Sequence, residues 1–202
     1  MNSDTSKLPS FFQNENFDAH FKVFHELMSN KVFEILLVAS PYDAYILEED
    51  GSLASKIVNE YRGLNLSRPP RITQAATATQ AMQMLAHKAF HLVIAMPHLD
   101  DMDAFDLGRQ IKSGHPELPV VLLAHSVKGI HPPPEGKDLS GIDQVFIWSG
   151  DSELLLAIIK SMEDRLNVAA DTRKAMVRVL ILVEDSPLYT SYFLPLIYRE
   201  VV

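Results

Sequence analysis

Several groups of side chains in this chain have the types and spacing to do chemistry. His98, Asp100, Asp101 and Asp103 crowd the stretch after the apolar run HLVIAM (91–96). Doubly wound sheets bind ligands at the ends of their strands, so this loop reads either as a displaced metal site or as a solvated acidic loop, and the second is the commoner outcome. His125, after PVVLLA (119–124), would join His98 in a transition-metal site only with a carboxylate fixed by motif spacing. None is placed that way, so an ordinary strand-end histidine is expected and no ligand role is assigned. Ser40 and Ser149 have no base paired with them in sequence, which favours caps or turn residues over nucleophiles. Arg62, Arg68 and Arg71, around Pro69-Pro70, carry the donors for a nucleotide phosphate, but three dispersed arginines in an acidic protein are usually solvated or paired. Tyr42, Asp43, Tyr45, Glu48, Glu49 and Asp50 precede Gly51 as an acidic-aromatic stretch, either a partner surface or a charged helix face around a tight turn.

These residues hang on short apolar runs that alternate with amphipathic ones. EILLVA (34–39), RITQAA (71–76), HLVIAM (91–96), PVVLLA (119–124) and QVFIWS (144–149) predict five strands. Their continuous apolar character predicts burial on both faces, the mark of a parallel sheet. Leu53, Ile57, Val58 and Tyr61 space one helix, Ala78, Met82 and Leu85 a second, and Phe105, Leu107, Gly108, Arg109 and Ile111 a weaker third. Between the fourth and fifth strands, SVKGIHPPPEGKDLSG (126–141) contains three successive prolines, which forbid a helix and leave at best a short turn near Asp138 to Ser140. From Ser152 onward a strong helix is predicted to about Lys174, with Leu155, Ile158, Ile159, Met162 and Leu166 on one face. Strand and helix alternation implies a doubly wound α/β fold with right-handed crossovers.

Residues 1–16 read as a mobile tail and 17–30 as an N-terminal helix. Phe17, Phe21, Phe24 and Leu27 or Met28 recur there at helical spacing, and the aromatic stripe suits a docking or dimer surface better than a cofactor site. The main domain is expected over 31–167, a helical linker over 168–176, and the start of a second domain over 177–202. With 202 residues there is room for about one good-sized domain and a fragment. The formal net charge of −8 argues against nucleic acid, because phosphate binding needs clustered Lys and Arg. The absence of cysteine removes disulfides and thiolate sites. No apolar run is long enough to span a bilayer and no signal-peptide core is present, so a soluble, cytoplasmic chain is expected.

The last segment carries the clearest motif. VLILVEDSP (179–187) resembles the opening of a response-regulator receiver domain: an apolar strand, the acidic pair Glu184-Asp185, then Ser186-Pro187. The resemblance implies a flavodoxin-like, CheY-like fold with strand order 2-1-3-4-5. It also implies that Glu184 and Asp185 hold Mg²⁺ in a complete second receiver. In that family a third-strand Asp takes the phosphoryl group, while a fourth-strand Ser or Thr and a fifth-strand Lys steady it, because phosphoryl transfer needs a carboxylate nucleophile and donors aimed at the developing charge. The first domain resembles the same family in scaffold and not in chemistry. Ala39 and Ser40 stand where the acidic pair belongs, Met96 at the phosphoacceptor, Ala124 at the hydroxyl and Trp148 at the lysine. A thioether cannot form an acyl phosphate and is a soft ligand unsuited to Mg²⁺. The resemblance therefore implies a pseudo-receiver whose former pocket is filled by Met96 and Trp148, with no catalytic residue and no bound cofactor.

LLVASPYDAYILEEDG (36–51), EYRGLNLSRPPR (60–71), LLLAIIKSMEDRLNV (154–168) and VEDSPLYTSYFLPLIY (183–198) together resemble the regulatory region of bacterial phosphoenolpyruvate synthase-like, pyruvate phosphate dikinase-like proteins. The expected function is a two-component, phosphorelay-type regulatory module. It would act on protein partners, on downstream domains of its own chain or as a homodimer, without enzymatic activity. A flavodoxin-like domain binding a small ligand in the vacated pocket is the alternative, disfavoured because no Gly, Ser or Thr-rich phosphate loop follows Val38 or Met96.

Overall fold

The computed structural model describes residues 27–49, 51–64, 66, 68–128, 130 and 139–201. The five apolar runs form strands β1 (Glu34–Val38), β2 (Arg71–Ala75), β3 (Leu92–Ala95), β4 (Val120–Ala124) and β5 (Gln144–Ile147). All pair in parallel, in the order β2-β1-β3-β4-β5. This is the flavodoxin-like arrangement, in which the chain reverses its direction of winding beside β1. Ile35–Val38, Leu92–Ala95 and Val120–Ala124 are buried at every position, because helices cover both faces of the sheet.

Among the described residues six helices supply that cover: α1 (Pro41–Leu47), α2 (Leu53–Gly63), α3 (Ala78–His87), α4 (Ala104–Gly114), α5 (Glu153–Ala175) and α6 (Pro187–Val201). Strand residues alternate between two apolar clusters. Ile35, Leu37, Ile94, Leu123 and Phe146 face Leu53 and Ile57 of α2 and the Leu154–Ile159 turns of α5. Leu36, Val38, Val93 and Leu122 face Ala81 and Leu85 of α3 and Leu107 and Ile111 of α4. The first part of the acidic-aromatic stretch, Tyr42, Asp43 and Tyr45, lies on α1, started by Ser40 with Pro41 in its first turn; Glu48 and Glu49 follow the helix, and Asp50 lies outside the described residues. Gly51, at φ 116°, separates α1 from α2, a backbone angle open to glycine and strained for other residues.

In the fourth crossover the described residues include no helix, and the three prolines lie outside them. The expected turn is present where Ile142 N–H donates to Leu139 O at 2.9 Å. It packs against α4 through glycine on both sides. A Cβ on Gly108 would lie 2.6 Å from Gly141 O, and one on Gly141 would lie 2.3 Å from Arg109 N.

Two expectations change at the ends of the chain. Of the helix expected over 17–30, residues 17–26 lie outside the described residues, and 27–30 are irregular, with Met28 at φ 54°. This stretch is tied to α5 by a polar ladder. Met28 N–H donates to Asp171 Oδ2 (3.1 Å), Asn30 N–H to Asn167 Oδ1 (2.9 Å) and Val32 N–H to Glu163 Oε1 (2.9 Å). Four helical residues advance about 6 Å and two extended residues about 6.6 Å, so acceptors at every fourth helical position meet alternate backbone N–H groups.

The strand expected at 177–183 does not form. Among the described residues its backbone makes no hydrogen bond, since a strand exists only against a partner and the sheet edge beside it is taken. That edge is covered by α6, whose Ser191 Oγ accepts from Ile147 N–H at 2.8 Å and whose Leu194 and Tyr198 enter the first cluster. The fragment expected to start a separate domain therefore packs onto the main one through its helix. Helix α5 runs unbroken through the expected boundary at 167, with Asn167 and Asp171 both buried.

Candidate functional site at the strand ends

Parallel pairing brings the carboxyl ends of β1, β3, β4 and β5 together, because each ladder runs in the same direction. Met96 N–H donates to Val38 O (2.8 Å) and Trp148 N–H to Ala124 O (2.7 Å), so the backbone continues its pairing one residue past the strands. The structure thus assembles Ala39, Met96, Ala124 and Trp148 at one end of the sheet, all buried. Ala39, Met96 and Trp148 share the cluster beneath α1, α2 and α5, while Ala124 points to the opposite face. Two methyl groups, a thioether and an indole are a donor set that does not fit hard Mg²⁺, which takes oxygen ligands.

The polar chemistry lies one step outward. Ser40 Oγ accepts from Asp43 N–H at 3.1 Å and donates to Asp43 Oδ2 at 3.0 Å. Asp43 is buried, and its Oδ1 lies 3.3 Å from His125 Nε2. The order of contact is serine, carboxylate, imidazole. A nucleophilic serine needs the imidazole against its hydroxyl, with the carboxylate behind. Here the carboxylate stands between them, so the trio caps α1 and ties it to the end of β4. His125 therefore meets Asp43 and not His98.

The acidic loop after β3 also turns out to be structural. Asp101 Oδ1 and Oδ2 accept from Ala78 N–H and Thr79 N–H, both at 2.8 Å, which caps α3 from another element. The bond from Thr79 N–H leads in holding its carboxyl below the usual range. Asp103 caps α4 through Phe105 N–H at 2.8 Å, and His98 bridges back to Asp103. Among the described residues no group of three or more His, Asp or Glu is placed to hold a metal ion. Arg62, Arg68 and Arg71 are exposed, and Arg71 lies 4.0 Å from Glu34. Tyr42 and Tyr45 are exposed on α1, Ser149 is exposed beyond β5, and no described helix is long and apolar enough to cross a membrane.

No protein-family profile and no curated protein matches the chain. Among solved structures, it overlaps the signal receiver domain of an HD domain-containing protein from Pseudomonas fluorescens Pf-5, at 24% identity over 67% of this chain and 89% of that one, with a TM-score of 0.48. The response regulator TrrA of Thermotoga maritima, solved with Mg²⁺ and BeF, overlaps at 16% identity over 64% and 98%, with a TM-score of 0.48. The chemotaxis response regulator CheY4 of Vibrio cholerae does so at 14% over 65% and 99%, again at 0.48. The fold class rests on this chain's own strand order and two-sided packing.

Glu184 and Asp185 lie away from the strand ends, just before α6, where Glu184 Oε1 accepts from Ser186 N–H at 2.9 Å. Ser40 is the cap expected of it, while its pairing with Asp43 and a polar stripe on α5 escaped the sequence reading. Ser40-Pro-Tyr-Asp43 has the serine and acidic spacing of a capping box, a signal that was available. Glu163, Asn167 and Asp171 recur every fourth residue on an otherwise apolar face, which also marks a buried polar stripe.

Proposed function

We propose that residues 31–167 form a receiver-type regulatory domain of two-component signalling that works without phosphorylation of its own. The observation that carries the reading is Met96. It is fully buried at the end of β3, in a cluster with Ala39 and Trp148, at the position that the receiver resemblance gives to the phosphoacceptor aspartate. A domain of this kind acts through its surfaces. The exposed Tyr42 and Tyr45 of α1 and the long α5 are faces available to protein partners or to further domains of the same chain, and the prolines of the fourth crossover lie outside the described residues.

The resemblance to phosphoenolpyruvate synthase-like regulatory regions extends the proposal to a parent protein in which Glu184 and Asp185 open a phosphorylatable receiver. Incubation of the chain with Mg²⁺ and acetyl phosphate, followed by intact-mass and peptide analysis, tests the first part. No phosphoryl adduct within 31–167 is expected, and a stable aspartyl phosphate there would overturn the reading. Sequencing the gene past Val202 tests the second: a third-strand aspartate and a PEP/pyruvate-binding module should follow.

A further inference from the structure

At the amino end of the sheet, opposite the Met96 site, a cavity of about 170 Å³ opens between the segments entering β1 and β2, the end of α2 and the first half of α5. The polar side chains lining it are Lys31, Tyr61, Arg68, Lys160 and Glu163. Three cations thus share the cavity with one carboxylate, in a chain whose formal net charge is −8. That carboxylate is engaged on both oxygens: Glu163 Oε1 accepts from Val32 N–H and Oε2 from Lys160 Nζ, each at 2.9 Å. Two positive charges are left over, those of Lys31 and Arg68. Neither has an ion pair or a side-chain hydrogen bond among the described residues. Of the three arginines around Pro69-Pro70, only Arg68 lines the cavity.

Tyr61 points to a ligand independently of the charges. It is 3% exposed, and its hydroxyl makes no hydrogen bond among the described residues. A buried hydroxyl normally has a partner, because leaving it unsatisfied costs more than a typical hydrogen bond contributes. Burial, with Glu163 second, raises its pKa, so the hydroxyl keeps its proton and can donate. Lys160 is similarly placed. Its side chain is 12% exposed and its Nζ lies 5.5 Å from the centroid of the Tyr61 ring. One of its three donors goes to Glu163, and no other acceptor meets it among the described residues.

Ammonium and guanidinium groups beside a neutral hydroxyl donor are a set that binds oxyanions. The surplus of two positive charges suits a dianion. The volume lies below the ~300–1,000 Å³ of sites that take drug-sized ligands, which is too small for a nucleotide. We propose that Lys31, Tyr61, Arg68 and Lys160 form a binding site for a small phosphate-type dianion, at the end of the sheet remote from Met96.

Calorimetric titration of the full chain with inorganic phosphate and with methyl phosphate, at constant ionic strength, tests the site and separates free anion from ester as its source. At least one of the two should bind saturably and more tightly than acetate, a monoanion. Arg68→Ala and Lys31→Ala remove exposed cations and should each weaken that binding roughly tenfold. Tyr61→Phe keeps the ring, removes only the hydroxyl and should weaken it about threefold or more. Arg62→Ala removes another exposed cation, outside the cavity, and should leave binding unchanged. The melting temperature of each variant without phosphate separates loss of binding from loss of fold. Absence of saturable binding of both phosphates would overturn the proposal. So would acetate binding as tightly as they do, binding indifferent to Arg68→Ala and Lys31→Ala, or an equal loss with Arg62→Ala.

Discussion

Met96 and the two buried tyrosines show how single side chains set the properties of this domain. Met96 has no exposed surface, so Met96→Asp would place a carboxylate among apolar neighbours without a cation to meet it. The expected outcome is a loss of about 3–5 kcal/mol in urea unfolding, with no gain of phosphorylation, since Ala39 and Ser40 supply no carboxylate for Mg²⁺. Tyr198 donates to Asp164 Oδ2 at 2.5 Å, and burial followed by that hydrogen bond pushes its hydroxyl pKa far up. Burial, with Glu163 second, does the same to Tyr61. Burial likewise raises the Asp164 carboxyl, with the Tyr198 hydroxyl pulling the other way. For both tyrosines the folded state holds its proton more tightly than the unfolded one. Their contribution to stability is therefore complete below about pH 10 and falls as pH rises beyond it. Melting temperature followed across that range should decline steeply. Tyr198→Phe should make the decline shallower, at a cost of about 1 kcal/mol at neutral pH.

At the scale of elements, the long helix does two jobs. Its apolar face packs on the sheet, and its stripe of Glu163, Asn167 and Asp171 receives the backbone of residues 28–32. Asn167 is the central rung: it accepts from Asn30 N–H and donates to Asn30 O at 2.8 Å and to Glu163 O at 2.7 Å. Asn167→Ala removes these bonds, together with those that Asn30 Nδ2 and Ser29 Oγ donate to Asn167 Oδ1, and should lower unfolding free energy by about 1–3 kcal/mol in urea titration. Hydrogen exchange should rise first at Met28, Asn30 and Val32. Unchanged protection there would mean that something other than this ladder holds the segment. The spacing that makes the ladder was readable in principle, since an acid, an amide and an acid recur every four residues. Its partner was not, because the N–H groups lie more than 130 residues away in sequence.

For the whole molecule, α6 is part of the main domain's packing. It closes the β5 edge through Ser191 and contributes Leu194 and Tyr198 to the core. Truncation after Met176 should therefore cost about 3 kcal/mol or more from the loss of those two buried side chains, and lower the melting temperature by roughly 10 °C. A melting temperature unaffected by truncation would show that the helix rests on the domain without stabilising it.

The amino-acid pattern by itself determined the five strands, the main helices and the α/β class. Apolar runs between amphipathic segments have few other ways to bury themselves, and parallel strands require crossovers. It also identified which side chains gather at the strand ends, because that follows from where each apolar run stops. Only the tertiary structure decided what the polar residues do. Asp101 became a helix cap and Asp43 a bracket between Ser40 and His125, since both depend on elements distant in the chain. It also decided the state of 177–183: an apolar run is a strand only where another strand meets it, and here the nearest sheet edge is occupied by the helix that follows.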